Sequence, residues 1–250
     1  MRLPESANRL TDKIELWVIP NFATPEECQT IIDEANKKGF VISTVDDPKK
    51  HDMPEGRVIH QARTSTTSFP LAPDAPMLVK VGERANAIVG DYKLEGLQVQ
   101  RYENTQKYDQ HYDTFDNLDE EHQRNYTAML YLNDIPEGGA TLFSKIGIRV
   151  QPSKGTLVLW NNLLPNGCRN ELTMHGGEPV TGTDPKYITT YWFRKKKGEI
   201  CNNKENFVVV TNGSNNLFIG LTIGLLLLAI LVGLIVFLAT SPKKKPTCRK

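Results

Sequence analysis

The sequence predicts an α+β domain with a β-sandwich or barrel core, followed by one C-terminal membrane-spanning helix. Three observations carry this. Helical periodicity comes first, between Thr24 and Gly39 and again from Met77 to Val89. Short alternating segments with Gly/Pro turns follow from Leu97 onward. Residues 217–239 then run for 23 positions without a charge.

Thr24-Pro25-Glu26-Glu27 is a capping box with proline at the first helical position. Ile31, Ile32 and Ala35 recur at helical spacing, and Gly39 closes the helix. The second helix, Met77 to Val89, places Leu78, Val81, Ala85 and Ile88 on one face. Between them, residues 43–76 hold prolines, threonines, serines and charges without periodicity, which predicts a long, mobile loop. Strands are expected at Leu97–Tyr102, Tyr126–Leu132, Thr156–Trp160 and Tyr187–Phe193.

The run at 217–239, LFIGLTIGLLLLAILVGLIVFLA, is long enough to cross a hydrocarbon core, which takes about 20 apolar residues. A buried core helix of that length would keep a polar stripe, and this one has only Thr222. The expected organisation is a catalytic domain at 1–200, a polar, Asn-rich linker at 201–216, the span at 217–239 and a basic tail at 240–250. The tail's lysines and arginine prefer the cytosolic face, which puts the body in the lumen. The sequon Asn212-Gly213-Ser214 matters only for a lumenal body. The start of the chain has no apolar run of the signal-peptide kind, and tail-first insertion would leave the body in the cytosol. The expectation is a single-pass protein of the secretory pathway or endoplasmic reticulum, with its body in the lumen.

Composition narrows the function. With 39% hydrophobic and 24% charged residues the chain is an ordinary globular protein, not a disordered or collagen-like one. Five of its 30 basic residues lie in 240–250, so residues 1–239 carry 25 basic and 29 acidic side chains, a net of −4. A mildly acidic body does not bind nucleic acid through phosphate contacts. The cysteines Cys28, Cys168, Cys201 and Cys248 form no C-x-x-C pair, which excludes a zinc ribbon and a thioredoxin-type site.

The chemistry concentrates at His111-Tyr112-Asp113, an H-x-D triplet at the end of an expected strand. Positions i and i+2 of a strand share a face, so imidazole and carboxylate can share one ion. His175 precedes Gly176-Gly177 and supplies a second imidazole. Two histidines and one carboxylate on one face of an octahedron leave three positions open, as in non-haem Fe(II) oxygenases. Lys186, at the start of the last apolar strand, can either lie on the surface, as most lysines do, or reach into a barrel and pair with the distal carboxylate of a dicarboxylate cosubstrate.

Gln100-Arg101-Tyr102, Tyr108 to Phe115, Arg124, Thr127, Leu130 to Asp134, Gly138 to Phe143, Val150 to Gly155, Trp160-Asn161, His175 to Val180 and Trp192 together resemble the motifs of prolyl 4-hydroxylases. Their order and spacing are similar to those of the small single-domain enzymes of plants, algae and large DNA viruses, over roughly residues 12–194. The resemblance implies a double-stranded β-helix (jelly roll), supported by the N-terminal helices. It also implies procollagen-proline 4-dioxygenase-like chemistry: Fe(II), 2-oxoglutarate, O2 and ascorbate are used to hydroxylate a proline-rich peptide. On this resemblance His111, Asp113 and His175 are iron ligands. Lys186, helped by Thr141 and Tyr102, binds the C5 carboxylate of 2-oxoglutarate, and Tyr108, Arg124 and Trp192 lie near the peptide. The 43–76 segment, with Arg63-Thr64-Ser65, would be a lid over the peptide groove. Two departures stand out. Lys186 follows His175 by eleven residues where the family has ten, with the Thr181–Pro185 turn as the place for the extra residue. The approach to His175, Cys168 to Met174, also differs from the family's pattern. Alternative readings are a related oxygenase acting on another peptide residue or a small molecule, and a non-catalytic membrane-anchored jelly-roll module.

Overall fold

The computed structural model describes residues 1–46, 57–90, 92–115 and 123–195. The chain divides at Glu199, and every described residue belongs to the first unit, Met1–Glu199. No helix among the described residues is long and apolar enough to cross a membrane. The expected linker, span and tail at 201–250 lie outside the described residues.

In chain order the elements are β1 (Asn8–Arg9), β2 (Leu16–Ile19), α1 (Pro25–Lys38), β3 (Val41–Ile42), β4 (Val45–Asp46), β5 (Arg57–Val58), β6 (Thr66–Ser68), α2 (Pro76–Val89), β7 (Lys93–Leu94), β8 (Val99–Tyr102), β9 (Tyr108–His111), β10 (Arg124–Tyr131), β11 (Thr141–Phe143), β12 (Ile148–Val150), β13 (Leu157–Asn161), β14 (His175–Gly177) and β15 (Lys186–Arg194). A major sheet runs β1-β2-β13-β10-β15-β8-β6-β3, with β7 pairing β15. A minor sheet runs β12-β11-β14-β9, and all its pairings are antiparallel. The domain is mostly sheet with few helices, an arrangement consistent with a jelly-roll core.

The major sheet is covered on both faces, so its central strands are buried almost throughout. In β10, Ala128 and Leu130 face the helices, where they meet Ile31, Ala35, Leu78, Val81 and Ala85. Met129 and Tyr131 point to the opposite face, where they pack with Phe143, Trp160, Val180 and Ile188. Burial on both faces explains why this strand reads as a continuous apolar run rather than a half-polar alternation.

Both helices start and stop where local chemistry dictates. In α1 the Thr24 hydroxyl accepts from the Glu27 amide at 3.2 Å, and the Glu27 carboxylate accepts from the Thr24 amide at 3.1 Å. Gly39 ends the helix, its amide donating to Ala35 O at 2.9 Å. The start of α2 has no side-chain cap of its own. Glu34 of α1 supplies one, accepting from the Met77 and Leu78 amides at 2.8 and 3.0 Å. A carboxylate at a helix N-terminus satisfies orphan donors and complements the helix dipole.

The 43–76 segment departs from the expected structureless loop. Its described parts, 43–46 and 57–76, contain β4, β5 and β6, and β6 pairs with β8 inside the major sheet. These strands are two or three residues long, too short to show a period. The N-terminal strands β1 and β2 also escape a helices-first reading, and β2 pairs with β13. Gly155, before β13, has φ +76°, and a Cβ there would lie 2.2 Å from Ala23 O. Only glycine fits that turn.

Candidate active site

The minor sheet brings the histidines together. His175 on β14 lies directly opposite His111 on β9. This needs the two strands to approach closely: a Cβ on Gly176 would sit 2.9 Å from Tyr108 O and 2.6 Å from Gln110 Nε2. Strand β9 ends at His111, so Asp113 lies beyond it rather than within it as expected. The chain bends there, and the carboxylate still reaches the same point. Asp113 Oδ1 is 3.7 Å from His111 Nε2, and Oδ2 is 3.7 Å from His175 Nε2. One ligand atom from each residue falls within 4.8 Å of the others.

The donor chemistry suits a divalent metal. His111 Nδ1 lies 2.8 Å from Asp109 O, and His175 Nδ1 lies 2.9 Å from Thr173 O. A carbonyl only accepts, so each Nδ1 carries the hydrogen and each Nε2 presents a lone pair to the cluster. Thr173 ends the Glu171–Thr173 turn, whose start is capped by Asn170, so the unusual approach to His175 supplies its orienting carbonyl. The His175 ring is also walled by Trp160 at 4.8 Å and Phe143 at 5.5 Å between centroids. Burial is the largest influence on His111 and pushes its pKa down, with His175 adding to the effect. Burial opposes ionisation of Asp113, but His175, His111, Arg124 and the Thr127 hydroxyl together hold its pKa below the usual value.

The cluster opens into a cleft. Lys186, Tyr102, Thr141, Tyr108 and Trp192 line that cleft together with His111, Asp113 and His175. Lys186 begins β15 opposite Tyr102 on β8 and is buried. Its Nζ donates to Gly139 O at 2.6 Å and lies 5.2 Å from the Tyr102 ring centre. No carboxylate among the described residues pairs with it, and burial pulls its pKa from 10.5 down to about 7. Thr141 accepts from Tyr131 Oη at 2.8 Å. The extra residue before Lys186 does not displace it from the cleft; the chain bends between Gly182 and Asp184. Arg194 takes a different place, bound to Glu95.

Comparison with known proteins agrees with this geometry. A model of the 2OG-Fe(II) oxygenase superfamily matches residues 97–194. A probable prolyl 4-hydroxylase 9 of Arabidopsis thaliana is 32% identical over 205 residues, covering 72% of this chain and 68% of that protein. Prolyl 4-hydroxylase 5 of the same plant is 34% identical, covering 70% and 67%. The chain belongs to the prolyl 4-hydroxylase family. Among solved structures, a viral collagen prolyl hydroxylase of Paramecium bursaria Chlorella virus 1, crystallised with 2-oxoglutarate, matches with a TM-score of 0.59 and 26% identity. That match covers 72% of this chain and 96% of the viral one. As a member of the prolyl 4-hydroxylase family the chain is a 2-oxoglutarate- and Fe(II)-dependent dioxygenase, with ascorbate as the reductant typical of the group.

Of the remaining residues that resemble this family's motifs, Tyr108 and Trp192 line the cleft. The Tyr108 ring stacks on His111 at 3.7 Å, and Arg63 lies over its other face at 4.8 Å. Arg124 does not line the cleft; its guanidinium lies 3.5 Å from the Trp192 ring centre and supports it from behind. Glu95 holds Arg124 through Nε and Nη2 at 2.8 and 2.9 Å and also binds Arg194. Burial opposes ionisation of Glu95, but the two guanidiniums hold its pKa below the ordinary value. Sequence reasoning missed Glu95, Asn162 and the Trp160 wall. Nothing local marks Glu95, since its partners lie far along the chain.

Proposed function

We propose that this chain hydroxylates peptidyl proline to 4-hydroxyproline, consuming 2-oxoglutarate and O2 and releasing succinate and CO2. One observation carries the reading: a two-histidine, one-carboxylate cluster and a buried lysine with no carboxylate partner among the described residues open into the same cleft. His111, Asp113 and His175 would hold the iron, and Lys186 with Thr141 and Tyr102 would hold the C5 carboxylate of 2-oxoglutarate. Bound iron and cosubstrate supply the two-electron oxidation that places oxygen on the target carbon.

The protein's own part is positioning. Lys186 would anchor one end of the cosubstrate in the cleft that it shares with the histidines. The apolar wall of Trp160, Met129 and Ile188 keeps water from that space. Trp192, partly exposed, offers a peptide the flat face opposite Arg124, and Tyr108, whose two faces are taken by His111 and Arg63, offers its edge. Proline rings in a polyproline II helix pack on such faces, and that conformation is already extended before binding. Arg124 behind Trp192 fixes the ring, so little side-chain entropy is lost when the peptide docks.

We also propose that residues 1–200 form this catalytic domain and that 217–239 anchors it in a secretory-pathway membrane, facing the lumen. The basic tail and the Asn212 sequon favour this side.

The test of function is direct. The protein is incubated with Fe(II), 2-oxoglutarate, ascorbate and proline-rich peptides. Equal yields of succinate and 4-hydroxyproline are expected. Turnover only on non-proline peptides or on small molecules would replace this reading with that of another oxygenase.

A further inference from the structure

A polar chain leads from the histidine–carboxylate cluster into the core. Thr127 on β10 is fully buried, and its Oγ1 lies 2.7 Å from Asp113 Oδ2. Asn162, just after β13, is equally buried, and its Nδ2 lies 2.8 Å from the same Oγ1. A hydroxyl has one hydrogen, and an amide nitrogen only donates. Asn162 therefore donates to Thr127, and Thr127 donates to Asp113 Oδ2. The opposite amide orientation would draw the Thr127 hydrogen toward Asn162 and leave two acceptors facing each other at Asp113.

This direction has a cost. Asn162 Oδ1 remains buried without a partner among the described residues. A leucine or alanine at this place would avoid that orphaned acceptor. The amide is therefore explained by what its other half does, which is to fix the hydroxyl of Thr127. Meanwhile Asp113 Oδ1 accepts no hydrogen bond from the described protein, and His111 Nε2 lies 3.7 Å from it.

We infer that Thr127, locked by Asn162, is a positioning residue that makes Asp113 a one-oxygen metal ligand through Oδ1. The inference rests on the reading of His111, Asp113 and His175 as the metal ligands. A carboxylate can bind a cation through one oxygen or two. With Oδ2 tied to Thr127, the second oxygen is engaged and the carboxylate plane is fixed. The position it would otherwise fill stays open for cosubstrate or O2.

Co(II) serves as the probe, because its visible spectrum reports coordination number without turnover. The full chain, in detergent, is loaded with Co(II) and titrated with 2-oxoglutarate. Thr127→Val keeps the side-chain shape and removes the donor; Thr127→Ser keeps the donor. Thr127→Ser is expected to keep the wild-type spectrum. Thr127→Val is expected to change the spectrum before cosubstrate is added and to weaken 2-oxoglutarate binding by about 10- to 100-fold. A Thr127→Val protein with the wild-type spectrum and affinity, even with a lowered melting temperature, overturns the inference. Should Val at 127 prevent folding, Asn162→Leu carries the test: a changed Co(II) spectrum supports the relay, and an unchanged one overturns it. His175→Ala separates the two readings. Unaltered Co(II) binding in that variant sinks the metal-site assignment itself, whatever Thr127 does.

Discussion

Replacing Lys186 with methionine should make the metal-free protein more stable and unable to hold 2-oxoglutarate. Burial lowers the Lys186 pKa from 10.5 to about 7. In the unfolded chain the amine returns to its ordinary value, so at pH 7 folding loses about 4 kcal/mol to this group. The Nζ bond to Gly139 O, at 2.6 Å, returns about 1–2 kcal/mol of that. Methionine fills a similar volume without a charge, so a net gain of about 2–3 kcal/mol is expected. The sign with pH follows. The penalty is largest below about pH 7 and fades as pH rises toward 10.5, because there the unfolded chain binds a proton that the folded one lacks. Wild-type stability should therefore climb across that window, and the variant should lose this slope. Binding changes in the other direction. A buried cosubstrate carboxylate left without its cation costs about 3–5 kcal/mol, or roughly two to four orders of magnitude in affinity. Urea unfolding of the metal-free protein at several pH values measures the first effect, and anaerobic calorimetry with 2-oxoglutarate measures the second. A variant no more stable than wild type at pH 7, with the slope intact, would refute the buried-cation argument. Wild-type cosubstrate affinity would show that another group holds C5.

His111→Ala, Asp113→Ala and His175→Ala should each abolish turnover, since each removes one of three donors; coupled succinate and hydroxyproline production in any of them would contradict the site. Glu27→Ala should lower stability by about 1.5–3 kcal/mol, because it removes the carboxylate half of the capping box and the Arg84 partner while leaving the Thr24 cap in place. The Arg84 hydrogen bond, working against burial, brings the Glu27 pKa down to about 2. Its stabilisation is therefore complete above the unfolded value near 4.5 and is lost as pH falls toward 2, which acid unfolding of variant and wild type would reveal. Protease treatment of sealed microsomes should leave the body intact and trim the tail; digestion of the body in intact vesicles would place it in the cytosol.

Much of the site is legible in the chain because its signals are local. Lys186 alone reads as an ordinary surface lysine and gains its role only beside the family's other motifs, whereas an H-x-D triplet and a histidine before paired glycines are readable within a few residues. The same holds for α1, where the cap, the apolar period and the closing glycine are all written between Thr24 and Gly39. Strands β10, β13 and β15 are long enough to show as apolar runs, and each lies within a residue or two of its expected place.

What only the tertiary structure decided is pairing across distance. Strands β11, β12 and β14 are three residues each, and His175-Gly176-Gly177 has no strand propensity; it is a strand because β9 and β11 flank it. Glu34 caps a helix that begins 42 positions later, and Glu95 joins Arg124 to Arg194. Thr127 meets Asn162 and Asp113 only once β10 and β13 are aligned in register. A sequence displays the chemistry that a residue owns, such as a lone pair, a charge or a helical preference. The direction in which a hydrogen bond runs, the loss of water around Lys186 and the carboxylate oxygen left free for a metal depend on neighbours that folding brings from elsewhere in the chain.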